Sequence, residues 1–385
     1  MVCDSVTDCL AGSFVSTLRF AQALKDKGHT VIFISARTSV NRTHGFYNGI
    51  KEYRFPSVLL PKTEGTFYLG FPTVSQLTRI FQEECIDVVH VLLPTPSSIV
   101  ALKAARDAGI NIVAHSHAQP ENVLLVLPRI LTFLHAPLGR LYYKYLAWIY
   151  RQARSIIYPT EFAKNFFPDL HAINHRVISN GVDTSKFKQI AKADAAVRFN
   201  VKPTGKNIVY VGRLHPEKSV DTLIKAVPHI ISKQPNAHVY IVGAGHQDKL
   251  LEGLAQKLHV QDYVTFLGKV SDEDLVSAYN LGDVFVLPSL AELEGMALLE
   301  ALACALPVVV ANAPGSAARY FVKQNGLLFE PENEQDLAEK VITLLENDPL
   351  RESMAQASLA MSKRYDLAHS IELLEQVYYS VIRHS

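Results

Sequence analysis

Two cations stand five positions apart in the stretch 212–218, Gly-Arg-Leu-His-Pro-Glu-Lys, directly after an apolar, strand-like run. Arg213 offers a planar fork of donors and Lys218 a compact point charge, so together they can clamp both phosphates of a diphosphate. The same two side chains would also suit a solvated basic loop. Alone, the motif indicates an anion site without excluding an ordinary surface loop.

Two glutamates, Glu292 and Glu300, flank a helix start that follows Gly295. A helix N-terminus preceded by glycine offers free backbone N–H groups to an anion, and flanking carboxylates can accept hydrogen bonds from sugar hydroxyls. The alternative is a pair of surface glutamates, one of them favoured by the helix dipole. The apolar helix around Glu300 counts against that alternative, because an unpaired acid is costly in such a setting.

Weaker candidates lie at other predicted strand ends. Gly12 follows a strand that ends near Asp4, and a glycine there would let a ligand approach the backbone. His115 and His117 share one face of a strand and could together ligate a metal ion, but no third ligand stands at a recognisable spacing. We therefore predict no metal. The stretch 243–245, Gly-Ala-Gly, lacks the third glycine of a dinucleotide loop.

Strand-like runs alternate with helical patterns along the whole chain, which predicts an α/β protein with parallel sheets covered by helices on both faces. Strands are predicted at 30–36, 86–94, 110–116 and 155–160, and again at 207–213, 237–243, 263–268, 283–289 and 307–312. Helices lie between them, and a helical tail follows residue 333. The motifs above follow strands, at the sheet edge where ligands bind in such folds.

The chain has 385 residues, 48% apolar and 19% charged, which suits two or three folded domains and excludes a disordered chain. The net charge of +1 gives no sign of a nucleic-acid partner. We predict domains at 1–183 and 206–365, a linker at 184–205, and a tail 366–385 that joins the first domain.

The cysteines show no disulfide or metal spacing, which favours a reducing, cytoplasmic compartment. They are Cys3, Cys9, Cys85 and Cys304. The N-terminus has acids where a signal peptide needs apolar residues, and no apolar run is long enough to span a membrane.

Taken in order, the motifs resemble those of retaining family 4 glycosyltransferases with the GT-B fold. The most specific element is E-x7-E, formed by Glu292 and Glu300. It is joined by Gly-Arg-Leu…Glu-Lys at 212–218, Ile-Ser-Asn-Gly-Val-Asp at 178–183 and Asn-Gly-Leu-Leu-Phe at 325–329. The resemblance covers essentially the whole chain. It implies two Rossmann-like domains facing across a cleft, with the C-terminal helix crossing back to the N-terminal domain.

The resemblance also implies site roles. Arg213 and Lys218 hold the donor diphosphate, Glu300 binds the ribose, Glu292 contacts the transferred sugar, and His117 touches it near the reacting centre. The other implied donor-binding positions are Gly12, Val270, Gly295, Met296, Leu298 and Leu299. No metal or other cofactor is implied, because two cations and a helix dipole can stabilise the leaving diphosphate.

Several positions depart from the family pattern. The first strand is cut short at Met1, as if the chain began upstream, and one glycine at Gly12 replaces the usual pair. Glu294 stands where most members have phenylalanine, and Ala305 replaces a common glycine. The acid often found before Asn325 is also missing. The last two departures leave the identity of the donor sugar open.

The stretch 122–160 contains five basic residues, many aromatics and no acid. Basic residues among interfacial aromatics suit an anionic bilayer surface, and the alternative is a packed helix with a basic edge in water. The residues predicted to meet a membrane or acceptor are Arg129, Arg140, Lys144, Trp148 and Arg151. The stretches 117–122 and 291–295 are similar to bacterial diacylglycerol glucosyltransferases.

These features predict a hexosyltransferase that moves glucose from UDP-glucose to a membrane lipid such as diacylglycerol, at the cytoplasmic face. One alternative uses GDP-mannose or another nucleotide sugar with a phosphatidylinositol, polyprenyl-linked or soluble glycan acceptor. Another is a non-catalytic nucleotide-sugar-binding partner subunit. A dinucleotide oxidoreductase, suggested by 243–245, would have no use for the E-x7-E motif.

Overall fold

The computed structural model of the chain describes residues 1–4, 12–38, 44–60, 67–119, 135–201 and 205–383. It divides into two compact units. Unit 1 comprises Met1–Asn180 with Ala368–Ser385, and unit 2 comprises Gly181–Leu367. No described helix combines the length and the apolar character that crossing a bilayer requires.

Unit 1 is an α/β unit built on a mainly parallel sheet. Its elements are α1 (Gly12–Asp26), β1 (Ile32–Ala36), β2 (His44–Tyr47), β3 (Ile50–Phe55), β4 (Ser57–Leu59), β5 (Tyr68–Gly70), α2 (Val74–Glu83), β6 (Val88–Val91), α3 (Pro96–Asp107), β7 (Asn111–His115), α4 (His135–Tyr150), β8 (Ser155–Tyr158), α5 (Glu161–Lys164) and β9 (His175–Val177). Strands β6, β7, β8 and β9 pair in that order and in parallel, while β3 lies between β1 and β2.

The first four residues join these two groups of strands. Val2 bridges Ile34 of β1 on one side and Val91 of β6 on the other. Its N–H donates to the carbonyl of His90 at 2.8 Å. Residues 1–4 thus occupy the strand position that the sequence predicted to be cut short, and Asp4 lies at its carboxyl end.

Unit 2 contains a six-stranded parallel sheet in the order β12-β11-β10-β13-β15-β17. Its elements are α6 (Lys192–Arg198), β10 (Lys206–Val211), α7 (Val220–Lys233), β11 (Ala237–Val242), α8 (Asp248–Lys257), β12 (Val264–Gly268), α9 (Asp274–Asn280), β13 (Val284–Leu287), β14 (Ala291–Glu292), α10 (Met296–Ala303), β15 (Val308–Ala311), β16 (Gly315–Ser316), β17 (Gly326–Phe329), α11 (Glu334–Glu346) and α12 (Asp348–Ser362). The β-branched runs of β10, β11, β13 and β15 are buried on both faces, as the sequence predicted, while the edge strand β12 is mostly half-buried.

The stretch 184–205, predicted as a linker, belongs to unit 2. It contains α6, and Phe187, Ala195 and Ala196 are buried in the hydrophobic core of that unit. Their apolar side chains remove too much surface from water for an open connection. The boundary between the units lies at residues 180 and 181, slightly before the predicted one.

The last helix, α13 (Leu367–Ile382), returns to unit 1 as predicted. Tyr378 Oη lies 2.6 Å from His90 Nδ1, next to the first strand position. Glu375 pairs with Lys27 and lies 2.7 Å from His29 Nε2, beyond the end of α1. These contacts fix the middle of α13 against the rest of unit 1.

Candidate active site

The loop after β10 presents the first pair of predicted site residues. Tyr210 Oη donates to the carbonyl of Arg213 at 2.9 Å, and the Arg213 guanidinium donates to Glu217 at 3.1 Å. Gly243 packs behind this loop at φ +132°, and a Cβ there would lie 1.9 Å from the carbonyl oxygen of Gly212. That glycine therefore serves close packing beneath the arginine loop, which accounts for it without a dinucleotide.

Lys218 meets the second motif directly. A single 3₁₀ turn, Pro216–Lys218, brings its ammonium to 2.6 Å from Glu292 Oε1, although 74 positions separate the two residues. Only 13% of the lysine side chain and 15% of the glutamate side chain are exposed. The N–H of Leu290 donates to the carbonyl of Glu217 at 2.8 Å and joins the two loops.

The helix α10 begins at the same place. Gly295 caps it with φ +101°, a left-handed conformation that a side chain would strain. Leu298 and Leu299 are fully buried in the core, so only their backbone can face a ligand. Glu300 is buried as well and accepts a hydrogen bond from Tyr279 Oη at 2.7 Å. The hydroxyl orients the carboxylate that the sequence singled out.

The remaining predicted donor positions of unit 2 lie along the same sheet edge. Met296 is the first residue of α10, half-buried at the helix start. Val270 follows β12, two strands away from β10, and packs half-buried against the core. Unit 2 thus brings together two cations, two carboxylates and a helix N-terminus at the carboxyl end of its sheet. That combination can bind a diphosphate and hydroxyl groups.

Sequence reasoning missed several residues that shape this site. Burial and the neighbouring Arg213 lower the pKa of His215 to about 4, so that ring is neutral at physiological pH. Glu217 is buried and fixes the arginine, and Tyr279 fixes Glu300. Glu217 stood within the loop motif, but nothing in the sequence linked Tyr279 to a glutamate 21 positions later.

The other predicted site residues lie in unit 1. Gly12 is the first residue of α1 and is exposed. His117 follows β7 and is half-buried, and burial lowers its pKa to about 3. Its ring stacks on that of His115 with centroids 4.0 Å apart. Burial also raises the pKa of Asp4 to about 6, while the neighbouring Ser97 and Thr95 oppose that shift.

Helix α4 carries the residues predicted to meet a membrane or acceptor. Arg140, Lys144 and Arg151 are exposed at its surface and just past its end. Between them Leu141 is 63% and Trp148 is 48% exposed. The inner face is fixed by edge-to-face contacts of Tyr143 and Tyr150 with Phe167 and by Tyr145 Oη, which donates to the carbonyl of Pro94 at 3.0 Å. The predicted Arg129 lies outside the described residues.

Two family profiles match consecutive parts of the chain. The profile of glycosyltransferase family 4 matches residues 11–186, and that of glycosyl transferases group 1 matches residues 192–361. The chain is 27% identical to the sulfoquinovosyl transferase of Arabidopsis thaliana, over 94% of this chain and 69% of that protein. It is 27% identical to the phosphatidyl-myo-inositol mannosyltransferase of Mycolicibacterium smegmatis, over 99% and 93%.

A third relative is the alpha-monoglucosyldiacylglycerol synthase of Streptococcus pneumoniae, 23% identical over 87% of this chain and 75% of that protein. Among solved structures, sucrose-phosphate synthase from Thermosynechococcus elongatus matches with a TM-score of 0.83 at 18% identity, covering 100% of this chain and 98% of that one. The Anabaena protein HepE in complex with UDP-glucose matches with a TM-score of 0.76 at 21% identity, covering 98% of both chains. These two structures share the fold.

Proposed function

The chain belongs to the family 4 glycosyltransferases, which are hexosyltransferases of the GT-B fold, and we propose that it moves glucose from UDP-glucose to a membrane lipid. The observation that carries the donor half of the proposal is the 2.6 Å contact between Lys218 and Glu292 beside the start of α10. A phosphate and a sugar are adjacent in every nucleotide sugar, and here a phosphate-binding cation and a hydroxyl-binding carboxylate are adjacent too.

The chemistry follows from the charges. As the bond between the anomeric carbon and the diphosphate oxygen breaks, negative charge develops on the leaving phosphate. Arg213, Lys218 and the amides at the start of α10 stabilise that charge. The ammonium has three donors, so Lys218 can keep its bond to Glu292 while it binds phosphate. Glu300, oriented by Tyr279, accepts from the ribose hydroxyls.

Retention of configuration is part of the proposal. The acceptor oxygen attacks the face that the diphosphate leaves, and the leaving phosphate oxygen takes the acceptor proton. Such a step needs no nucleophile from the protein. His117, neutral because burial lowers its pKa to about 3, would contact the sugar by hydrogen bonding without adding a charge. Orientation and electrostatic stabilisation supply the rate enhancement.

The surface of unit 1 supports a lipid acceptor. Helix α4 combines exposed Leu141 and Trp148 with exposed Arg140, Lys144 and Arg151, the composition of an interfacial helix. The relatives from Streptococcus and Mycolicibacterium, whose names contain diacylglycerol and phosphatidyl-myo-inositol, point the same way.

The β4–β5 hairpin adds an apolar surface in the same unit. Val58, Leu59, Leu60 and Phe71 are exposed there, and the described stretches 56–60 and 67–72 carry no charged residue. Exposed apolar side chains grouped in this way mark a contact surface. Hydrocarbon is a fitting partner for the apolar side chains of these two stretches.

Trp148 is the only tryptophan in the chain, so it reports directly on α4. Its emission is expected to shift to shorter wavelength on vesicles with anionic lipid, and less so as salt increases. Each basic residue near such a surface contributes about 1 kcal/mol, so neutralising Arg140, Lys144 and Arg151 should weaken binding roughly 100-fold. An unchanged spectrum with every vesicle composition would contradict the membrane part of the proposal.

A matched control neutralises three exposed basic residues of the same unit outside α4, namely Lys103, Arg106 and Arg176. This variant carries the same net charge as the α4 variant and should retain vesicle binding. The donor part is tested separately by a thermal-shift panel of UDP- and GDP-sugars. UDP-glucose is expected to raise the melting temperature most, and stabilisation by GDP-mannose alone would favour the alternative donor.

A further inference from the structure

Three histidine rings stack in a row inside unit 1. His90 lies in β6 with its ring centroid 5.6 Å from that of His115, and the two planes differ by only 4°. The ring of His115 lies 4.0 Å from that of His117 at an interplanar angle of 26°. Phe20 of α1 stacks on His115 as well, at 5.7 Å. We call His90, His115 and His117 the histidine column.

The middle ring is held by stacking. His115 is 1% exposed, and neither of its ring nitrogens has a hydrogen-bond partner within the described part of the chain. Burial lowers the pKa of His90 and of His115 well below the usual range. The column is therefore uncharged at physiological pH, and its rings can lie face to face without repulsion.

The far end of the column is fixed by the C-terminal helix. His90 Nδ1 lies 2.6 Å from Tyr378 Oη, and the tyrosine ring meets the histidine ring edge to face. The near end is His117, the residue of unit 1 assigned to the transferred sugar. A continuous set of packed rings thus joins α13 to His117.

We propose that His115, His90 and Tyr378 are positioning residues that fix the ring of His117 for contact with the transferred sugar. The inference rests on the proposed function, since it takes the role of His117 from it. The ring of His115, 4.0 Å from that of His117, limits the rotation of that side chain, and His115 itself packs against both His90 and Phe20. A side chain without a ring at position 115 would leave His117 free to turn.

Four variants of the full chain test this. His115→Ala removes the middle ring, His115→Phe keeps a ring, and Tyr378→Phe removes only the hydroxyl that holds His90. Glu375→Gln is the control, because it disturbs the ion pair of α13 with Lys27 and its contact with His29 and leaves the column intact. Circular dichroism first verifies that each variant is folded.

In turnover, His115→Ala should lower kcat roughly 10- to 100-fold with little change in the donor KM, because misplacement of a group at the reacting centre acts on the chemical step. His115→Phe should retain kcat within about threefold of wild type. The kcat of Tyr378→Phe should lie between those of the two His115 variants, and the kcat of Glu375→Gln should match wild type. If the folded His115→Ala variant keeps wild-type kcat, or His115→Phe is as impaired as His115→Ala, the positioning role is refuted.

A second readout does not depend on activity. In a histidine-labelled sample, the His117 signal is identified by its loss in His117→Gln and should not titrate between pH 5 and 8. Removing the ring of His115 admits water, so the signal should then titrate near pH 6.5. If wild type transfers no sugar, the proposed function fails and this titration still decides the positioning role. An unaltered His117 signal in His115→Ala would overturn it.

Discussion

Replacing Lys218 by methionine removes a single charge and keeps most of the side-chain volume. The ammonium lies 2.6 Å from Glu292 Oε1, and about one seventh of each side chain is exposed. Methionine cannot pair with the carboxylate, so Glu292 is left nearly buried without its cation. The variant should therefore lose stability and activity together, for two separable reasons.

The size of the stability loss follows from the geometry. At an effective dielectric constant of about 20, two unit charges 2.6 Å apart attract by roughly 6 kcal/mol. Desolvation of both groups cancels part of this, and stranding one partner of such a pair costs about 3 kcal/mol of unfolding free energy. Adding Glu292→Gln removes the stranded charge, so the double variant should regain most of that stability.

Activity should behave differently. Without the ammonium, charge on the leaving phosphate loses a partner, and kcat/KM should fall about 100-fold, equivalent to about 2.7 kcal/mol. The double variant still lacks the cation and should remain impaired. Urea denaturation measures the stability, and release of nucleoside diphosphate measures the turnover. Wild-type turnover in Lys218→Met, or activity recovered together with stability in the double variant, would refute the reasoning.

Three further predictions concern other contacts. Tyr279→Phe removes the hydroxyl that orients Glu300 and should raise the donor KM about fivefold at constant kcat in initial-rate assays; an unchanged KM would contradict the assignment of Glu300. Gly70→Ala would put a Cβ 2.6 Å from Ser97 Oγ, so denaturant titration should show a free energy of unfolding lower by about 1–3 kcal/mol. Wild-type stability would contradict this, because it would mean that Ser97 moves aside without cost. Burial raises the pKa of Asp4 from 3.8 to about 6, so the folded protein binds this proton more tightly than the unfolded chain does. The proton therefore stabilises the fold by about 3 kcal/mol below about pH 4, and this stabilisation is lost as the pH rises through 6. Asp4→Asn should lose this pH dependence in melting temperatures taken from pH 4 to 8, and parallel profiles for variant and wild type would contradict it.

Much of the fold could be predicted because its strands are continuous apolar runs. Strand β3 was not predicted, because Glu52 and Arg54 interrupt its run of apolar residues. In the structure Glu52 is fully buried, accepts from Ser35 Oγ at 2.5 Å and pairs with Arg54. A charged residue can be assigned to a buried strand only when the groups that pair with it are known, and tertiary structure supplies those groups.

The site residues that belong to one sequence motif could be predicted. The site residues that become neighbours only when two helices or strands pack together could not. The 212–218 and 292–300 motifs are local, and the fold brings Lys218 onto Glu292. The roles of Tyr279 and of the histidine column depend on which helices and strands become neighbours. His90 meets His115 because β6 pairs with β7, and the sequence gives no periodicity that reports this pairing.

The most direct test is transfer itself. Purified protein is incubated with radiolabelled UDP-glucose and vesicles that contain diacylglycerol, with Lys218→Met as the matched inactive variant. The expected result is label that enters the organic phase and migrates as a glucosyl lipid, in amounts that depend on the vesicles and are about 100-fold lower with the variant. Diphosphate release that is unaffected by lipid, with all label left in water, would contradict the proposed function.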